Sequence, residues 1–171
     1  MTNNYKNVDM NRLARVEERI ASDIEAELYD GAALIIHHHG ECVLRSVQGY
    51  KERKAGNRLE DDSVFVTFSS GKQMTVVSVL QAIEKGVLQL HTPVADLIPE
   101  FGVNGKSKIN LSQLLNHTSG LVSMPPVMAP EDMGVLEKFV GHICMTGPET
   151  LPGERVRYSI TPAHAVMAEM V

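Results

Sequence analysis

Cysteine is scarce in this chain. Cys42 and Cys144 are too few, and too far apart, for a disulfide framework or a zinc site. Long apolar runs are missing as well. None approaches the roughly 20 residues a membrane-spanning helix requires, so no membrane segment is expected. The N-terminal stretch "MTNNYKNVDM" lacks the apolar core of a signal peptide, and a cytoplasmic location is the expectation. There is no basic excess either. Sixteen Lys and Arg stand against 21 Asp and Glu, for a formal charge of −5. No basic stripe is present to neutralise phosphates, which argues against nucleic-acid binding. The one tight basic cluster, Lys51, Arg53 and Lys54, is interrupted by Glu52 and reads as a solvated loop. Internal repeats and low-complexity tracts are absent.

What is there is ordinary for a globular protein: 43% hydrophobic and 22% charged residues in 171, enough for one domain with a core. From about Asp9 to Tyr29, Leu13, Val16, Ile20, Ile24 and Leu28 recur at spacings of three and four. This predicts an amphipathic helix with Asp9 as its N-cap. Two β-rich runs around "HGE" in residues 32–50 predict a hairpin. The polar "KERKAGNRLEDDS" predicts a surface loop, and Val64 to Phe68 an extended run. Ser69 to Lys85 reads as a helix whose Met74, Val76, Val77, Val79, Leu80 and Ile83 cover most of its circumference, so it should be largely buried. Gly86 fits its end. Pro93 and Pro99 bracket a short helix. Asn110 caps a brief helix that Gly120 stops. Met124 to Pro130 is irregular, Glu131 to Cys144 helical, and residues 146–159 loop. A last helix begins near Pro162.

The segment "VTFSSGKQMT" raises the chemical question. On a helix, positions i and i+3 share a face, so Ser69 and Lys72 point the same way. A serine hydroxyl is a weak nucleophile until a neighbour takes its proton. A lysine beside it, desolvated, gives up its own proton more readily. The helix start favours negative charge at Ser69 and offers N–H donors to an oxyanion. Gly71 permits close approach. From the tetrapeptide alone, a capped helix start and a nucleophile remain alternatives.

The three adjacent histidines carry less. Strand neighbours alternate faces, so at most His37 and His39 converge. No carboxylate or further ligand stands at a typical spacing, and neither metal nor cofactor is expected. Met124 to Met133 is rich in Met and Pro, suited either to an apolar acyl pocket or to an irregular surface loop.

The surroundings of the S-x-x-K motif narrow the choice. "VFVTFSSGKQMTVVSVLQAIEKGVLQLHTPVADLIPEF", "INLSQLLNHTSGL" and "LPGERVRYSI" resemble, in order and spacing, the serine β-lactamase-like superfamily. That group holds penicillin-binding DD-peptidases, class C β-lactamases and related esterases and transesterases. The resemblance runs from about Ala32 to the last residue. It implies an α/β (α+β) fold, β-lactamase/transpeptidase-like, with an antiparallel sheet flanked by helices and a helical subdomain. Residues 9–50 would give a helix and hairpin of the α/β region, and 69–171 the mainly helical region. It implies that Ser69 is the acylated nucleophile, Lys72 its partner in proton transfer, and Tyr158 the tyrosine of the family's Y-x-N motif. An ammonium beside Tyr158 would favour its phenolate. His117, in "HTSG", is chiefly part of a structural turn in that family. No substrate role is carried to it.

Two departures matter. Ile160 replaces the Asn of Y-x-N and can neither donate nor accept, which points toward the esterase and transesterase branch. The family's domain is also about twice this length, and its third motif, often K-T-G or H-T-G on a strand that supplies an oxyanion N–H, is not in this sequence. The chain therefore reads as the N-terminal half, with a complementary C-terminal half as partner and a small acyl compound as substrate. The leading expectation is a serine hydrolase acting through an acyl-enzyme, with acyl transfer as a variant. A non-catalytic penicillin-recognition-like binding or sensor module is the alternative. A β-lactamase or DD-peptidase comes third.

Overall fold

The computed structural model describes residues 7–124 and 126–171. The first six residues of the polar N-terminal stretch, and Pro125 of the irregular segment, lie outside them. The chain forms two compact units, one running to Val66 and the other Thr67–Val171.

In the first unit, α1 spans Met10–Glu25. Its N-cap is Asp9, whose carboxylate accepts from the N–H groups of Asn11 and Arg12 at 3.0 and 3.2 Å. These are donors that a helix start leaves without internal partners. The helix stops four residues short of Tyr29. Its end has no basic residue of its own, and Arg53 fills that role by donating to the Ile24 carbonyl at 2.6 Å while its Nε pairs with Asp30 at 3.2 Å. Strands β1 (Gly31–His38) and β2 (Glu41–Glu52) form the expected antiparallel hairpin. His39 and Gly40, both at positive φ, make its tight turn.

Two expectations for this unit need correcting. The segment taken as a surface loop instead extends β2 and adds β3 (Asn57–Arg58), so the sheet has three strands in the order β1-β2-β3. Its charges stay largely exposed, two of them also paired: Lys51 reaches Glu60 at 2.8 Å and Arg53 reaches Asp30 at 3.2 Å, and Gly56 at φ +70 closes the turn. His39 has left the strand for the turn, so it does not share a strand face with His37.

The second unit is helical. A 3-10 turn, Phe68–Gly71, leads into α2 (Lys72–Glu84). Two short 3-10 turns follow at Val94–Asp96 and Pro99–Gly102, then α3 (Leu111–Leu115), α4 (Pro130–Met133), α5 (Leu136–Met145) and α6 (Pro162–Glu169). Asn110 and Gln113 close a reciprocal capping box on α3. That helix ends at Leu115, well before Gly120, because His117 turns the chain through a positive φ. The single helix expected over 131–144 is broken at Gly134–Val135.

Val79, Phe101, Leu114, Ile143, Val166 and Met167 are wholly buried and form one core. Within it lies a charged side chain, Lys106, with no exposed surface. Its Nζ donates to the carbonyls of Val103, at 3.1 Å, Cys144, at 3.0 Å, and Thr146. It thereby caps the carbonyl end of α5 from within, at the price of a desolvation that lowers its pKa. The expectation of a largely buried α2 does not hold. Only Val79 and Ala82 are buried, while Met74, Val77 and Leu80 are exposed, because one face alone packs within this unit.

Candidate active site

Ser69 sits in the 3-10 turn rather than on α2 itself. A 3-10 turn eclipses residues i and i+3, which places Lys72, the first residue of α2, over Ser69. Lys72 Nζ lies 3.1 Å from Ser69 Oγ. Phe68, immediately before the serine, is held at φ +43, a left-handed conformation unusual for a bulky residue. Such local strain concentrates at functional positions. Gly71 is constrained as well: a Cβ there would come within 3.2 Å of Thr67 Oγ1. Within this turn the Ser70 N–H is already bonded to the Thr67 carbonyl at 3.0 Å.

The third group arrives from far along the chain. Tyr158 Oη lies 2.9 Å from Ser69 Oγ across 89 residues of sequence. The Lys72 ammonium stands 5.2 Å from the centre of the phenol ring. Hydrogen bonding with Ser69, and then the neighbouring Lys72, hold the phenol below its ordinary pKa. The structure thus brings together all three residues singled out from the sequence. The desolvation expected of Lys72 is partial, since its residue is half-buried, while Ser69 is exposed and Tyr158 is 47% exposed.

Tyr158 belongs to no helix or strand. Its segment is laced to the "HTSG" turn by main-chain bonds: Glu149 N–H to the Gly120 carbonyl, Gly153 N–H to Thr118 at 2.7 Å, Arg157 N–H to His117 at 2.8 Å, and Ile160 N–H to Ser123 at 2.9 Å. Gly120 permits this approach. It stands at φ +74, and a Cβ there would lie 2.2 Å from the Thr150 carbonyl oxygen. Ser159 is buried and accepts the Ala163 N–H at 3.0 Å, tying the start of α6 to the same segment. Arg157 adds an ion pair to Glu149 at 2.9 Å.

Two histidines stand behind the site. The His117 ring packs 4.9 Å from that of Tyr158, and His164 of α6 lies 5.7 Å beyond. Burial, followed by the charge of Lys72, lowers both pKa values, that of His164 to about 4. His164 Nδ1 is buried with no hydrogen-bond partner among the described residues. No periodicity or motif reading pointed to His164. His117 was visible only as part of a turn.

A cavity of about 410 Å³ opens beside Lys72, lined by Phe68, Met133, Leu136, Phe139, Ile160 and His164. Met133, from the Met-rich segment, contributes one wall, whereas Met124 is exposed and does not line it. Among the described residues no cluster of three His, Cys, Asp or Glu could hold a metal ion, and no helix is long and apolar enough to cross a membrane.

The beta-lactamase family model matches residues 16–171. Among curated proteins, Esterase EstB of Burkholderia gladioli is 35% identical over 95 residues, covering 53% of this chain and 24% of its own length. Penicillin-binding protein 4 of Amycolatopsis lactamdurans is 29% identical over 144 residues, covering 82% of this chain and 37% of its own. Among solved structures, a family VIII carboxylesterase superposes with a TM-score of 0.82 at 22% identity, over 92% of this chain and 42% of that one. At that identity the likeness shows the fold alone. The chain spans less than half the length of each of these relatives.

Proposed function

The chain belongs to the beta-lactamase family, and on that premise we propose that it carries the nucleophile half of a serine hydrolase that works through an acyl-enzyme. The observation that carries this reading is the convergence of Lys72 Nζ and Tyr158 Oη on Ser69 Oγ, at 3.1 and 2.9 Å. A serine becomes a nucleophile at neutral pH when a neighbouring group can take its proton, and two candidates for that reach this hydroxyl. In this reading Ser69 attacks an acyl carbonyl, its proton passes to the Lys72–Tyr158 pair, and the pair returns it to the leaving alkoxide. Water, or an alcohol in the transfer variant, then releases the acyl group by the reverse path.

Esters are the favoured substrate class. Ile160 offers no amide to a peptide or lactam side chain and instead adds apolar surface to the cavity beside Lys72. That cavity suits an aliphatic or aromatic group better than a polar one. We further propose that the complete site draws a second oxyanion donor from a segment outside these 171 residues. The exposed apolar face of α2, with Met74, Val77 and Leu80, supports this, as does the greater length of the relatives. Losing one such donor costs roughly 10²–10³ in turnover.

The test is covalent labelling of the intact protein with a fluorophosphonate, followed by turnover of p-nitrophenyl butyrate. Label on Ser69 with sustained turnover supports an esterase. Label without turnover supports the binding or sensor reading. Hydrolysis that survives Ser69→Ala overturns the assignment of the nucleophile.

A further inference from the structure

One residue grips the Tyr158 backbone from both sides. The His117 carbonyl accepts the N–H of Arg157 at 2.8 Å, and its Nδ1 accepts the N–H of Ser159 at 3.3 Å. Residues 157 and 159 flank the tyrosine. Between those two bonds, the His117 ring lies against the phenol ring at 4.9 Å and 56°. His117 does this from φ +59. That conformation disfavours most side chains, and Asn and His are among those that accept it best. The turn is fixed from its other side, where the Thr118 N–H reaches the Gln113 carbonyl at 2.9 Å and Asn116 Oδ1 at 3.1 Å.

We propose that His117 is a positioning residue for Tyr158, setting the phenol at its distance from Ser69 Oγ without touching the reacting atoms. Its role as a proton-handling support rests on the reading of Tyr158 given above, while the grip itself rests on geometry alone. Two properties carry the grip, an acceptor two bonds from Cβ and tolerance of a left-handed backbone, and a flat ring facing the phenol adds to it. Histidine combines them. Asn supplies the acceptor and the backbone tolerance, and Phe supplies the ring only. Accepting at Nδ1 places the imidazole proton on Nε2. The charged or titratable groups facing the phenol are Lys72 from α2 and His117 from the turn, with His164 of α6 behind His117. A shift of about 1 Å in a catalytic group can cost on the order of 10²-fold in rate.

The experiment compares His117→Ala, His117→Asn and His117→Phe with the unaltered protein in two measurements. One is the titration of the Tyr158 ring, followed by NMR of ¹³Cζ-labelled tyrosine. The other is the rate of Ser69 labelling by a fluorophosphonate across pH, with melting temperature as a control. Loss of the Nδ1 bond and the ring contact, with the main-chain bond to Arg157 kept, loosens the phenol from Ser69 and Lys72. In His117→Ala and His117→Phe its titration therefore moves upward, toward an ordinary phenol, and labelling slows about tenfold or more, with its rising limb at higher pH. His117→Asn restores the titration and most of the rate. A variant that is only less stable loses folded protein without moving either midpoint. If His117→Ala does not fold, the Asn and Phe variants carry the comparison. Tyr158 titrating unchanged in His117→Phe overturns the proposal. A Ser69 that never reacts, in a protein whose Tyr158 midpoint does shift, overturns the hydrolase reading and leaves the positioning role standing.

Discussion

Replacing Tyr158 with Phe removes one oxygen from the site and nothing else. The ring is 47% exposed and rests on His117, and Phe keeps that contact. The lost hydroxyl leaves no buried partner stranded, because Ser69 Oγ is exposed and still faces Lys72 Nζ at 3.1 Å. Melting temperature should therefore stay within roughly 2 °C of the unaltered protein. The chemical cost is of a different order. A positioned general base contributes about 10²–10⁴ in rate. With Lys72 still in contact with the serine, part of that contribution survives, and Ser69 acylation should fall about 10²-fold. The pH dependence should change as well, because the group whose pKa the Ser69 contact and Lys72 hold down is gone. Stopped-flow measurement of p-nitrophenol release, or fluorophosphonate labelling where turnover is slow, reads both quantities. Acylation by Tyr158→Phe at the original rate and with the original pH profile would refute the phenol's part in proton transfer. An equal loss in Lys72→Met and in the double variant would show the two groups acting as one unit.

Lys106→Met keeps the length of the side chain but takes the donor from the buried Cys144 carbonyl and the part-buried Thr146 carbonyl, while the Val103 carbonyl keeps the main-chain N–H of residue 106 at 3.2 Å. At about 1–3 kcal/mol per unsatisfied buried group, with partial relaxation, the loss should be about 3 kcal/mol, or roughly 6–12 °C in melting temperature. Calorimetry checks it, and an unchanged transition would mean the carbonyls find other donors. His164 gives a pH dependence. Its folded pKa, about 4, lies below the value near 6.5 of an unfolded histidine, so the folded state binds fewer protons between those limits. The stability present above about pH 6.5 is then lost as pH falls toward 4. The full displacement corresponds to about 3 kcal/mol, which solvent screening of a partly exposed ring cuts to about 1–2 kcal/mol. Urea midpoints at pH 7 and 4.5 should show this loss in the unaltered protein and a smaller one in His164→Phe.

The sequence by itself determined the local elements whose signals are local. Asp9 ahead of a 3.6-residue periodicity fixed the start of α1. Two β-rich runs about His39–Gly40 fixed the hairpin, and Asn110 fixed the start of α3. It also placed Ser69 and Lys72 on one side of one turn, since a spacing of three suffices for that in either a 3-10 or an α-helical geometry. Tertiary structure alone decided the rest. Periodicity marked α2 as apolar all round, but burial depends on what packs against each face, and within its unit only one face is covered. The polar stretch after β2 became a strand because the chain turns at Gly56 and pairs back on the end of β2, with Arg53 reaching the distant Asp30. Tyr158 meets Ser69 only because the "HTSG" turn, with Gly120 at positive φ and His117 gripping residues 157 and 159, carries that loop back across 89 residues. Such a contact leaves no period or cap in the sequence, since it is made by hydrogen bonds between segments and not within either one.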